Sequence, residues 1–80
     1  MANLKQNLID MAKSLVDSPD EVTVEVSSET EDCVTFELSV APDDMGKVIG
    51  RHGKIAKAIR TVMKAAATSA GLRVRVDILD

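Results

Sequence analysis

This 80-residue chain predicts an α+β domain, with helices packed on one face of a three-stranded sheet. Three observations lead there. Apolar residues recur at helical spacing in some segments and at every second position in others, in the order helix, strand, strand, helix, helix, strand. The length suits one small domain, 1–80 without a linker or repeat. With 45% hydrophobic and 29% charged residues, the composition is that of a globular chain rather than a disordered one.

Leu4, Leu8, Met11, Ala12 and Leu15 form the apolar stripe of an amphipathic first helix, which Ser18-Pro19 stops. Val22, Val24 and Val26 alternate with Thr23 and Glu25 as a half-buried strand. Ser27 to Asp32 is polar and turns the chain, and Val34, Phe36, Leu38 and Val40 complete a hairpin. Pro42-Asp43-Asp44 opens a short helix, its acids placed to favour the positive end. That helix carries Met45, Val48 and Ile49 and halts at Gly50. A longer helix runs from Lys54 to Ala70, with Gly71 as its cap. Its core face is expected at Ile55, Ile59, Val62, Met63 and Ala66, opposite a solvent face of Lys54, Lys57, Arg60 and Lys64. Val74, Val76 and Ile78 alternate with Arg73, Arg75 and Asp77 as the third strand.

Charge divides the chain. Residues 1–44 hold two lysines and eleven acids, whereas residues 45–80 hold eight basic residues and two acids. Nothing from Met45 to Val76 is acidic, so a formal net charge of −3 conceals a local basic patch. The local field, rather than the average, decides what such a surface attracts.

The patch is centred on Val48-Ile49-Gly50-Arg51-His52-Gly53-Lys54. Gly50 and Gly53 permit positive φ angles and close backbone approach. The following helix directs its N–H groups and positive dipole end at the turn. Natural helices favour acids there; this one has Arg51, His52 and Lys54, an arrangement that costs about 0.3–1 kcal/mol per cation. A local rule broken without structural gain points to a ligand, here an anion such as a phosphate backbone, whereas the two glycines on their own also fit a plain tight turn between two helices.

Val48-Ile49-Gly50-Arg51-His52-Gly53 resembles the VIGxxG core of the KH domain, and the element order resembles its type II arrangement. Gly46 to Gly50 together with Lys54 to Thr61 is similar to the small stand-alone bacterial KH proteins of the KhpA type. The resemblance covers essentially the whole chain. One departure is Ala56, which stands where many KH domains carry Ile, with Ile55 one place earlier. The resemblance implies a GxxG loop at 50–53 that clamps the backbone of about four single-stranded nucleotides. Carried over by position, Gly50 and Gly53 give close approach, and Arg51 and His52 face phosphate. Lys47, Lys54 and Lys57 add charge, while Val48, Ile49 and Ile55, with Val40 as a weaker candidate, wall a groove for bases. It also implies an RNA chaperone acting with a KhpB-type partner in cell-wall growth and cell length, with self-association as a further family expectation.

Other chemistries find less support. Phe36 is the sole aromatic residue, so platforms that stack bases on paired aromatics are excluded. His52, the only histidine, has no neighbouring acid in sequence to orient it as a general base. Neither a P-loop nor a dinucleotide fingerprint is present. Cys33 is alone, which fits a reducing compartment and excludes a cysteine-based zinc site within one chain, and it begins a strand in acid-rich sequence. No metal or cofactor is expected. The longest uncharged run, Ala65 to Leu72, is far too short to span a membrane. The first 17 residues lack the apolar block of a signal peptide, and the expectation is a cytoplasmic protein. The alternative function is a protein-interaction module that uses the acidic half and the first helix.

Overall fold

The apolar stripes and alternations meet in one aliphatic core. The computed structural model describes residues 4–79. Helix α1 (Leu4–Leu15) ends before a 3₁₀ turn at Pro19–Glu21, and the chain then forms strands β1 (Thr23–Glu29) and β2 (Cys33–Ser39). A 3₁₀ turn at Pro42–Asp44 leads into α2 (Met45–Ile49). After a turn at Arg51–Gly53 come α3 (Lys54–Ser69) and β3 (Arg73–Ile78). The α-β-β-α-α-β order is as the sequence predicts.

The sheet order is β1-β2-β3. β1 and β2 pair antiparallel, as a hairpin requires, while β2 and β3 pair parallel, because α2 and α3 carry the chain back across one face. Leu8, Leu38, Met63 and Val48 are completely buried where helices and sheet meet. The far end of α3 is closed as the sequence predicts. Gly71 takes φ 76°, its N–H bonds Thr68 O at 3.0 Å, and the N–H of Leu72 bonds Ala67 O at 2.8 Å. These are the two bonds of a Schellman cap.

Several expectations need correction. β1 runs through Ser27 to Glu29, so the turn is confined to the residues between Glu29 and Cys33 and is held by the N–H of Thr30 on Cys33 O. The register of β1 against β2 shifts between Val26 and Ser28, a bulge, and Val26 is left exposed beyond the helical layer. On α3 the core face is rotated by part of a turn. Ala56, Ile59, Met63 and Ala67 are buried, Ile55 and Ala66 half-buried, and Val62 is 53% exposed. Small alanines let α3 lie close to the layer beneath, which a face centred on Val62 would not. Cys33, acidic in its sequence surroundings, pairs with Arg73 across the sheet and lines a depression with Lys64 and Arg75.

Asp44 departs furthest from its expected role. It makes no side-chain cap on α2 and is 2% exposed. Its carboxylate accepts the backbone N–H of Asp17 at 3.2 Å and of Ser18 at 3.0 Å, pinning the chain that leaves α1.

Candidate nucleic-acid interface

Three positive φ angles build the turn between α2 and α3. Gly50 has φ 76° and ψ 174°, His52 has φ 59° and ψ 25°, and Gly53 has φ 73° and ψ 15°. The two glycines differ in what they make room for. A Cβ on Gly50 would overlap Ile55 Cγ1 and lie 2.9 Å from the Ile55 backbone N, whereas one on Gly53 would meet nothing within 4 Å. Gly50 is therefore required by packing as well as by backbone angle, and Gly53 by angle alone.

His52 is the one non-glycine residue with positive φ among the described residues. That conformation costs roughly 1–2 kcal/mol in an L-residue, and such strain concentrates at ligand sites. It places the imidazole on the outside of the turn, where Arg51 and His52 are both exposed. The Gly53 N–H bonds Gly50 O at 3.2 Å, which tightens the turn. α3 then starts with no side-chain cap and no acid in its first turn. Its positive dipole end is thus left to the surroundings.

Among the described residues, no hydrogen bond or ion pair engages the side chains of Arg51, His52, Lys54, Lys57 or Lys64. Lys54 and Lys57 are exposed beside the turn, and Ile49 and Ile55 are half-buried at its base. The structure brings these together as one basic, weakly apolar surface. Three further candidates stand apart from it. Val48 is fully buried in the core and offers no surface to a base, because α2 turns that side toward the packed layer. Val40, at 8% exposure, is likewise in the core. Lys47 is turned toward acids, with Nζ 2.9 Å from Asp17 Oδ2 and 3.5 Å from Asp44 Oδ1.

That ionic corner has a clear electrostatic signature. Burial alone would raise the pKa of Asp44, but the N–H groups of Asp17 and Ser18, with Lys47, outweigh it and hold the carboxyl below its ordinary value. The hydrogen bond and charge of Asp17, with help from Asp44, raise the pKa of Lys47.

A groove of about 360 Å³ runs between α3 and β3, lined by Arg60, Lys64, Val74, Arg75, Val76 and Asp77. A second depression, sharing Lys64, Val74 and Arg75, continues it toward Arg73 and Thr68. This surface was not predicted. Its signal in the sequence is the absence of acids through Val76, which extends the basic stretch from α3 into β3.

The family model described as KhpA/KhpB, KH domain, matches residues 5–78. The chain belongs to the KhpA/KhpB KH-domain family. It is 60% identical over 77 residues to the RNA-binding protein KhpA of Clostridium acetobutylicum, covering 95% of this chain and all of that one. With the protein of the same name from Halalkalibacterium halodurans the identity is 56%, over 88% of this chain and 91% of that one. For Listeria monocytogenes it is 38%, over 96% of this chain and 100% of the other. Among solved structures, a crystal structure of Era from Aquifex aeolicus superposes with a TM-score of 0.67 at 16% identity, over 95% of this chain and 30% of that chain. That likeness shows the fold. The KhpA/KhpB KH family is non-enzymatic, in keeping with a site built from cations, glycines and aliphatic side chains. No helix among the described residues is long and apolar enough to cross a membrane.

Proposed function

We propose that this protein, as one KH domain, binds single-stranded RNA by clamping its backbone on the Gly50–Gly53 turn. The observation that carries this reading is the turn itself. Two glycines and a strained His52 expose Arg51 and His52 ahead of an uncapped helix, with no acid engaging either side chain. Phosphate oxygens meet Arg51, His52 and Lys54, with Lys57 following the strand, while Ile49 and Ile55 offer aliphatic contact to bases. Lys47 plays a lesser part, since two carboxylates already hold it. The names of the KhpA relatives support RNA as the ligand.

Without aromatic stacking, one domain binds weakly, and much of its affinity is electrostatic. Two to three phosphate contacts correspond to a log–log salt slope of roughly −1.4 to −2 on a single strand. The function extends, on this proposal, to a cytoplasmic RNA chaperone that works with a KhpB-type KH partner and self-associates, influencing cell-wall growth and cell length. The joint KhpA/KhpB family match supports the partner.

The test is titration of short single-stranded RNA into wild type and Arg51→Asp/His52→Asp at two salt concentrations, with circular dichroism confirming both folds. Salt-sensitive binding in wild type that is lost in the folded variant is the expected result. Equal binding by both, or none at low salt, refutes the proposal and favours the alternative, docking of a protein through the acidic half.

A further inference from the structure

Behind the turn, we infer that Asp44 is a positioning residue: it holds α2, and through α2 the Gly50–Gly53 turn, in the arrangement that binds RNA. This rests on the RNA-binding reading above and assigns control of that site's affinity to a carboxylate buried away from the ligand.

An aspartate at the start of a helix ordinarily caps it. Asp44 forgoes that role. No side-chain cap forms on α2, and the carboxylate instead accepts N–H groups 26 and 27 residues away, from Ser18 at 3.0 Å and Asp17 at 3.2 Å. The segment it grips is firm. Ser18 O accepts the Glu21 N–H at 3.0 Å, Pro19 O accepts the Val22 N–H at 3.2 Å, and the buried Ala12 and Val22 seat the chain on either side. Lys47, one turn into α2, adds its Nζ 3.5 Å from Asp44 Oδ1 and 2.9 Å from Asp17 Oδ2. Two backbone donors and one cation thus tie the first turn of α2 to the connection between α1 and β1.

α2 has only five residues. Such a helix keeps its place through its attachments rather than through its own hydrogen bonds. Val48, fully buried, pivots it against the core, and Asp44 fixes how it is turned about that pivot. The other end passes the setting on. The Gly50 N–H bonds Gly46 O at 2.9 Å, and Gly50 lies so close to Ile55 that a Cβ there would overlap it. A small rotation of α2 therefore displaces Gly50 against α3, and Arg51 and His52 move with it. When only a fraction of molecules holds the competent turn, the apparent affinity falls by that fraction.

The experiment measures binding of U8 RNA at neutral pH by wild type, Asp44→Asn, Asp43→Asn and the Arg51→Asp/His52→Asp variant, with circular dichroism confirming each fold. Charge and positioning predict opposite signs. Asp44→Asn removes a negative charge near the site of a polyanion and, by electrostatics alone, would tighten binding. As the loss of a positioning group it should weaken binding by about fivefold or more, the lower end of coupling between sites. The salt slope should stay as in wild type, because the phosphate contacts are the same. Asp43→Asn removes the same charge from an exposed neighbour and should leave affinity unchanged or slightly higher. Amide exchange in wild type reads the same coupling from the other side. Coupling is reciprocal, so RNA should slow exchange at the Asp17 and Ser18 amides more than at Gly71, the cap at the far end of α3.

Unchanged or tighter binding by folded Asp44→Asn overturns the proposal and leaves Asp44 a stabilising residue only. Equal weakening by Asp43→Asn and Asp44→Asn also overturns it. Exchange at Asp17 and Ser18 that RNA slows no more than at Gly71 overturns it from wild type alone, even where Asp44→Asn does not fold. Those three outcomes leave RNA binding through the turn intact. Binding that does not respond to the turn variant, or is absent from wild type, defeats both readings.

Discussion

The two ends of the five-residue helix α2 have opposite fates. At its start, Asp44 is buried and saturated, taking two backbone N–H groups from the chain after α1 and a contact from Lys47. At its end, Gly50 opens a turn whose cationic side chains reach into solvent without a partner among the described residues. One end commits its polar groups to the protein; the other leaves them to solvent. A helix this short has little stability of its own, so the anchored end holds the open one in place. Comparing them separates residues that maintain the fold from residues proposed to meet RNA, although they lie within ten positions of one another.

The sharpest way to break the open end is through its glycines. Gly50→Ala drives a methyl into Ile55 and keeps a positive φ, and should destabilise by about 2–4 kcal/mol. Gly53→Ala bears the φ penalty alone, about 1 kcal/mol, since its Cβ enters open space. Urea denaturation of the two variants checks the contrast; equal losses would show that Ile55 does not press on Gly50.

The anchored end should yield to acid. The folded-state pKa of Asp44 lies below the ordinary value of 3.8, so its contribution is complete above that value and fades as pH falls through the folded pKa. Asp44→Asn should be less stable than wild type at pH 7, and the gap should narrow in acid, from about pH 4 downward. Denaturation at several pH values reads this directly, and a constant gap would contradict it.

The smallest expected effect links the two ends. Asp17→Asn removes the closest acid partner of Lys47 and one negative charge near the site. RNA affinity should rise by less than about threefold, as suits an exposed ion pair, and no change in titration would place Lys47 beyond the ligand's reach.

Much of this architecture could be read from local pattern. Alternating valines marked the strands, Gly71 marked the end of α3, and the Gly-x-x-Gly turn with its basic neighbours stood out at residue level. What escaped was long-range. Asp43 and Asp44 are equivalent as helix-start acids in sequence, yet Asp44 is claimed by N–H groups 26 and 27 residues away. Val48 looks like a groove residue beside Ile49 until packing places it at the centre of the core. The helical period located the apolar side of α3, but the choice of Ala56 and Ala67 over Val62 depends on how closely the layers approach. Arg60 read only as one cation of a solvated stripe, because its carbonyl partner lies on β3, 16 residues on.

The bulge between Val26 and Ser28 bears on how the molecule behaves at high concentration. β1 is an edge strand, and a long regular edge invites strands from neighbouring molecules and hence aggregation. The bulge interrupts that ladder midway, beside the exposed Val26, and Glu25 and Glu29 add charge on either side. At the opposite edge Arg60 already occupies the Val76 carbonyl. Each sheet edge of this small aliphatic domain thus carries a feature that disfavours backbone pairing with another copy.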